Sequence, residues 1–295
     1  MKITASLVKE LRTATGAGMM DCKKALTATD GNMSEAVDWL REKGIAKAAK
    51  KAGRIAAEGL SKVVIEGNKA CLVEINSETD FVAKNEQFLG ILDTVANALL
   101  NAGVTTIEDA NEVVINGESI SSLLVNATAT IGEKITLRRF AVIEKTDDQE
   151  FGVYMHNGGT ISAIVILDSC ENTDLAKQMA MQVASMKPSY VTRNDVPSEI
   201  IDHERTIITR TMEADESLAE KPEKVLKGIV EGRLSKSLQE MCLVDQVFFL
   251  DGKAKCSAIL KDNKTSVVNM VRYEVGEGIE KKEDNFADEV ASMTK

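Results

Sequence analysis

The sequence predicts an α+β fold, and three observations carry that expectation. Residues 1–54 place their apolar side chains at helical spacing and hold eleven Lys and Arg against six acids, a net +5, while the remainder stands at −15. Two later stretches each read as a β-hairpin, an amphipathic helix and a closing strand with antiparallel character, a degenerate internal repeat. The second copy is longer between its helix and its closing strand, which predicts an insertion at about 189–240. The expected organisation is a helical module at 1–54, a first core half at 55–145, a second core half at 146–275 carrying the insertion, and a small helical module at 276–295.

In the first module Ile3, Leu7, Val8 and Leu11 recur as one helix face, with Thr4 or Ser6 available as its cap. Gly16-Ala17-Gly18 breaks the pattern, and Met19, Met20, Cys22, Ala25 and Leu26 resume it. After Asp30-Gly31-Asn32 a third stripe combines Met33, Ala36, Val37 and Leu40 with Trp39. These stripes predict a compact three-helix bundle, followed by a basic linker from Lys47 to Arg54.

The core follows. Gly59–Val64, a Gly67-Asn68 turn and Ala70–Ile75 predict one hairpin; Gly152–Met155, Asn157-Gly158-Gly159 and Ile161–Leu167 predict another. Helices are expected at Phe88–Leu100 and Leu175–Met186, and closing strands at Ile135–Ile143 and Ser266–Val275. Within the insertion, Ile200, Ile201, Ile207 and Ile208 precede Pro222, and Val225, Leu226, Ile229, Val230 and Leu234 follow it. Two helices turning back around Glu220-Lys221-Pro222 make a protruding antiparallel hairpin. A last short helix is expected at Phe286–Met293.

Composition narrows the function. A net charge of −10 disfavours direct nucleic-acid binding, which is driven by neutralising phosphates, and seven Phe, three Tyr and one Trp are few for base stacking. Cys22, Cys71, Cys170, Cys242 and Cys256 show no CxxC pair, so neither a zinc site nor a disulfide framework is expected, and a reducing cytoplasm fits. No run of about 18 apolar residues suggests a membrane span, and Lys9, Glu10 and Arg12 interrupt any leader-like apolar segment. Phosphate-loop, dinucleotide and nucleophile-elbow motifs are missing, and His203-Glu204 fails as a zinc motif because Ile207 stands where its second histidine belongs. His156, at the second hairpin turn, and His203, on the insertion, read as surface or structural histidines. No catalytic residue, metal site or cofactor is predicted.

The repeat supplies an internal control. Between hairpin and helix the first copy carries Ser77–Asn85, with Phe81 beside Asp80 and Lys84; the second has only Ser169–Asp174 there, with no aromatic residue. A loop that differs between two copies of one scaffold is where a special task is expected. From the residues alone Phe81 either tucks into its own core or meets a partner.

The stretch Thr79-Asp80-Phe81-Val82-Ala83-Lys84-Asn85 closely resembles the bacterial elongation factor Ts family, the nucleotide exchange factors of elongation factor Tu. Ala5 to Arg12, Thr15 to Leu26, Ile131 to Ile135, Val230 to Arg233 and Arg272 to Glu280 are also similar to that family, in its order and along essentially the whole chain. The resemblance implies a ubiquitin-associated-like first module, a two-part α+β core, a helical-hairpin insertion resembling a coiled coil, and a C-terminal module. It implies contact with the GTPase domain of elongation factor Tu through the first module and core, and with its third domain through the second core half. Thr79, Asp80, Phe81 and Val82 match the segment credited with dislodging Mg²⁺ from the partner's nucleotide site. Arg12, Met19 and Met20 match the N-terminal contact surface. His156 matches a further contact, although Asn157-Gly158 and Thr160 depart from the family's pattern there. The implied partner is elongation factor Tu, GDP-bound and nucleotide-free, in a 1:1 complex or a 2:2 heterotetramer, with no nucleic acid or membrane involved. Two alternatives stand beside it: an adaptor whose bundle binds a ubiquitin-like or helical ligand, and an RNA binder acting through Lys47–Arg54.

Overall fold

The computed structural model describes residues 3–218 and 221–280. They form two compact units, one of residues 3–143, 157–160 and 273–280, the other of 144–156 and 161–272.

The first unit opens with α1 (Ala5–Thr15), α2 (Met19–Ala28) and α3 (Met33–Lys51). Thr4 caps α1 by accepting from the Leu7 amide, and Asn32 caps α3 through Ser34 and Glu35. Gly16 ends α1 at φ 68°, a left-handed conformation that costs other residues a clash with Cβ, and its amide donates to the Arg12 carbonyl. Val8, Leu11, Cys22, Ala25, Leu26 and Ala36 form the bundle core.

Two expectations for this bundle are corrected. Lys47–Lys51 is the end of α3 rather than a linker. Alanine and lysine are strong helix formers, and cations suit the negative end of a helix dipole. Val37 is exposed while Leu40 and Trp39 pack on the core, because one residue's step of 100° carries Val37 off the face that Ala36 and Leu40 share.

Strands β1 (Glu58–Glu66) and β2 (Lys69–Ser77) pair antiparallel, from Glu58↔Ser77 to Glu66↔Lys69. After the single helical turn α4 (Asp80–Ala83) comes α5 (Glu86–Ala102), which packs on both strands. Cys71, Val73 and Ile75 of β2 and Phe88, Leu92, Val95 and Leu99 of α5 make one buried cluster. Residues 103–135 hold elements that the periodicity did not announce: α6 (Ile107–Glu112), the two-residue strands β3 (Val114–Ile115) and β4 (Glu118–Ser119), and α7 (Ile120–Ile131). The first copy therefore has an insertion of its own, so the longer second copy is only part of the difference between them. The closing strand β5 (Thr136–Glu144) lies beside β2, giving the order β1-β2-β5. Helix α3 packs on α7, where Gly44 leaves room for Ala129 and the Lys51 ammonium donates to the Gly132 carbonyl.

In the second unit β6 (Gln149–His156) and β7 (Ile161–Asp168) pair antiparallel from Gln149↔Asp168 to His156↔Ile161. His156 is thus the last residue of a strand, with the turn beginning at Asn157. Helix α8 (Thr173–Met186) lies so close to β6 that a Cβ on Gly152 would stand 1.8 Å from the Ala176 carbonyl oxygen. The inserted helices are α9 (Ser198–Glu213) and α10 (Glu223–Met241), packed on each other through Ile201, Ile208, Leu234 and Leu238. Arg205 pairs with Glu231 at 3.1 Å across them, and the base is tied where the Ser189 and Tyr190 amides donate to the Met241 carbonyl. A further unannounced helix, α11 (Cys256–Asp262), precedes β8 (Ser266–Glu274), which closes the order β6-β7-β8. The helix expected at Phe286–Met293 lies outside the described residues. Among the described residues no helix is long and apolar enough to cross a membrane.

Candidate functional site

Strand β2 ends at Ser77, and the chain then makes a capped turn instead of passing straight into α5. The Thr79 hydroxyl accepts from the Val82 amide at 3.4 Å and starts α4. Ala83 is buried and Val82 packs on the first core cluster, so the adjoining positions of this one turn, Asp80 and Phe81, face outward. Phe81 is 81% exposed, the outlying value among the aromatic residues of the described chain. The alternative in which it tucks into its own core is excluded: Phe88, seven positions on, occupies that core at 0% exposure.

The turn is held from outside. Glu133 accepts at one oxygen from the Glu78 and Thr79 amides, at 3.1 and 2.9 Å, and at the other from the Thr79 hydroxyl at 2.7 Å. Glu78 in turn accepts from the Lys134 amide at 2.6 Å and pairs with Arg54 at 3.2 Å. The Lys134 ammonium closes the ring on the Arg54 carbonyl at 3.0 Å. On the outer face Lys84 pairs with Asp80 at 2.7 Å. That hydrogen bond, with the attraction of the ammonium, holds the Asp80 carboxyl below the usual carboxylate range, so Asp80 stays ionised at neutral pH.

The other residues singled out from sequence stand apart from this turn. Arg12 is exposed in the last turn of α1. Met19 and Met20 open α2 at 43% and 63% exposure, so neither serves the bundle core. His156 is exposed at the end of β6, its Nδ1 3.0 Å from the Tyr154 hydroxyl. Thr79 to Val82 form one continuous site in the first unit, and His156 belongs to the second. Among the described residues no group of three or more His, Cys, Asp or Glu is placed to hold a metal ion.

The profile of the family described as Elongation factor TS matches residues 78–277. Elongation factor Ts of Spiroplasma citri is 49% identical over 293 residues, covering 99% of both chains. Elongation factor Ts of Acholeplasma laidlawii (strain PG-8A) is 50% identical over 294 residues, again covering 99% of each. The chain belongs to the elongation factor Ts family.

The elongation factor Ts profile begins at Glu78, among the residues that hold the turn, and ends at Glu277, inside the segment that returns to the first unit. In that segment the Gly276 amide donates at 3.0 Å to Glu74, a fully buried carboxylate that also receives Arg138 at 3.0 Å and Arg139 at 2.5 Å. Sequence reasoning missed Glu133, Glu78, Lys134 and Arg54 as supports of the turn. A signal existed, since Ile131 to Ile135 is among the stretches that resemble the family, but nothing along the chain connects it to Thr79 more than 50 positions away.

Proposed function

We propose that this chain is the guanine-nucleotide exchange factor of elongation factor Tu in translation elongation, and that it acts without a catalytic site of its own. The observation that carries the reading is an aromatic ring presented to solvent on a turn that Glu133, Glu78, Lys134 and Arg54 hold by hydrogen bonds and an ion pair. Thr79, Asp80, Phe81 and Val82 are assigned the displacement of Mg²⁺ from the partner's nucleotide site, and Arg12, Met19, Met20 and His156 are assigned to binding. Residues 1–54, 55–145, 146–275 and 276–295 are the corresponding functional segments. The setting is the cytoplasm, and the partner is engaged both GDP-bound and nucleotide-free.

The energetics shape this proposal. An exchange factor must bind the nucleotide-free GTPase more tightly than the GDP form, and by reciprocity GDP weakens the complex as much as the complex weakens GDP. A diphosphate held by Mg²⁺ and oriented backbone amides is left undercompensated when either moves. Burying a phenylalanine side chain supplies roughly 1.5–3 kcal/mol, whereas turning a 1:99 balance into 99:1 takes about 5.5 kcal/mol of differential affinity. Phe81 therefore needs the additional surfaces, and Met19 and Met20, flexible and polarizable, suit one of them.

Stopped-flow release of a fluorescent GDP analogue from elongation factor Tu tests the reading. Phe81→Ala is expected to slow stimulated release by a large factor while the protein stays folded; an unchanged rate rejects the role of the ring. Excess Mg·GDP is expected to dissociate the complex. A complex that survives it indicates an adaptor.

A further inference from the structure

Phe81 can act only in the direction in which its turn presents it, and that direction is set by a residue 52 positions away. We propose that Glu133 is the positioning residue of this site: its carboxylate fixes the rotor of Thr79 and thereby the orientation of α4 and of the Phe81 ring. The proposal rests on the exchange reading above and names the group that makes the ring effective.

Helix α7 ends at Ile131, and Gly132, at φ 95°, reverses the chain so that Glu133 meets the junction of β2 and α4. A threonine hydroxyl has one proton and two lone pairs. With its proton committed to Glu133 at 2.7 Å, the Thr79 oxygen turns a lone pair to the Val82 amide and forms the cap. The second carboxylate oxygen takes the two preceding amides, of Glu78 and Thr79. All three groups at this junction are donors, so they require a side chain that is acceptor on both atoms. An ionised carboxylate is that; a carboxamide has one acceptor atom only, so its NH₂ would have to donate to the Thr79 oxygen and turn the hydroxyl proton away, which undoes the orientation of the rotor. Opposite the junction the Gly132 carbonyl takes the Lys51 ammonium, which fastens the same loop to the end of α3. Glu133 touches neither nucleotide nor reacting atoms in this scheme, and its effect passes entirely through Thr79 and the turn.

The test combines Glu133→Gln, Thr79→Val, Phe81→Ala and the double variant Glu133→Gln with Phe81→Ala. If Glu133 positions the ring, Glu133→Gln lowers the maximal rate of stimulated GDP release about ten- to a hundredfold, the scale of a small misplacement of a working group. The concentration of factor giving half-maximal rate stays within about twofold, since the other contact surfaces are intact. Thr79→Val gives the same pattern. In the Phe81→Ala background Glu133→Gln slows release by no more than about twofold further, because both substitutions disable one device. Amide hydrogen exchange reads the geometry without any partner: Glu78, Thr79 and Val82 lose protection in Glu133→Gln while β2 keeps its own. Slow release in Phe81→Ala beside unaltered release in Glu133→Gln and Thr79→Val overturns the positioning role alone. Equal slowing by Glu133→Gln with and without Phe81 overturns it too, as general destabilisation. Unchanged release in Phe81→Ala overturns the exchange reading, and this proposal with it, even where the amide protection of the turn falls.

Discussion

The two hairpin-helix-strand copies build the same sheet and spend their extra residues differently. In both, the second strand of the hairpin is the middle strand, β2 or β7, and the helix that follows it covers the hairpin. In the second copy Ser169, at φ 49°, turns the chain and α8 begins at Thr173. In the first copy the longer connection forms α4, and that copy's own insertion, α7 and the loop after it, returns to brace the turn through Glu133. An exposed apolar ring on an unbraced loop would be free to collapse onto the nearest apolar surface. The comparison teaches that the specialised loop is a pair of changes: extra residues at one place and a brace supplied from another.

The largest expected effect contrasts two rings within the first copy. Phe88→Ala should cost about 3–5 kcal/mol in urea unfolding, as a fully buried ring replaced by a cavity. A loss below about 1 kcal/mol would mean that the α5 interface is not the core of this unit. Next, Gly152→Ala should destabilise the second copy by about 1–3 kcal/mol, because the new methyl meets the Ala176 carbonyl and α8 must move out. Hydrogen exchange should show β6 and α8 opening first; loss of protection in α5 instead would contradict the local origin of the strain.

A smaller effect, set by pH, is common to the two copies. Burial pushes the Cys71 thiol of the first unit and the Cys256 thiol of the second up to about 12, and the Tyr273 phenol to about 12 as well. These groups ionise earlier in the unfolded chain, so their contribution is fully present below the unfolded values and fades as pH rises toward 12. At pH 10 each cysteine should account for about 1 kcal/mol of lost stability. Cys71→Ala and Cys256→Ala should each flatten the decline of the urea midpoint between about pH 8 and 10; equal slopes in wild type and variants would refute it. Smallest of all, Phe81→Ala should change stability by less than about 0.5 kcal/mol, since the ring is exposed. A larger loss would mean that the ring has a structural task after all.

Much of the architecture could be read along the chain. The hairpins were marked by glycine and asparagine turns between alternating strands, and the inserted helices by apolar stripes on either side of Pro222. Residues 103–135 escaped for a physical reason. Asn116-Gly117 is a strong turn signal, yet it joins strands of two residues each, too short to show alternation. The end of α3 escaped because a run of lysine and alanine reads as a solvated linker until Gly44 and Lys51 are seen to dock on α7. In the site, comparing one copy with the other singled out the loop Ser77–Asn85 and Phe81 within it, while Thr79 to Val82 as a set followed from the resemblance to the family. Whether Phe81 faced inward or outward could not, because one helical turn is too short for a periodicity to point it.

The residues themselves determined the class of fold, the repeat, the three-helix module, the place of the insertion and the family. All of these rest on local preferences: a period of 3.6 or 2, a cap, a turn residue, a motif in order. Tertiary structure alone decided which of two phenylalanines seven positions apart is core and which is surface. It also decided that Glu133 braces Thr79 and that Glu74 gathers Arg138, Arg139 and the Gly276 amide. Burial and hydrogen-bond pairing depend on groups brought together from distant parts of the chain, and for those pairs neither spacing nor composition carries a record.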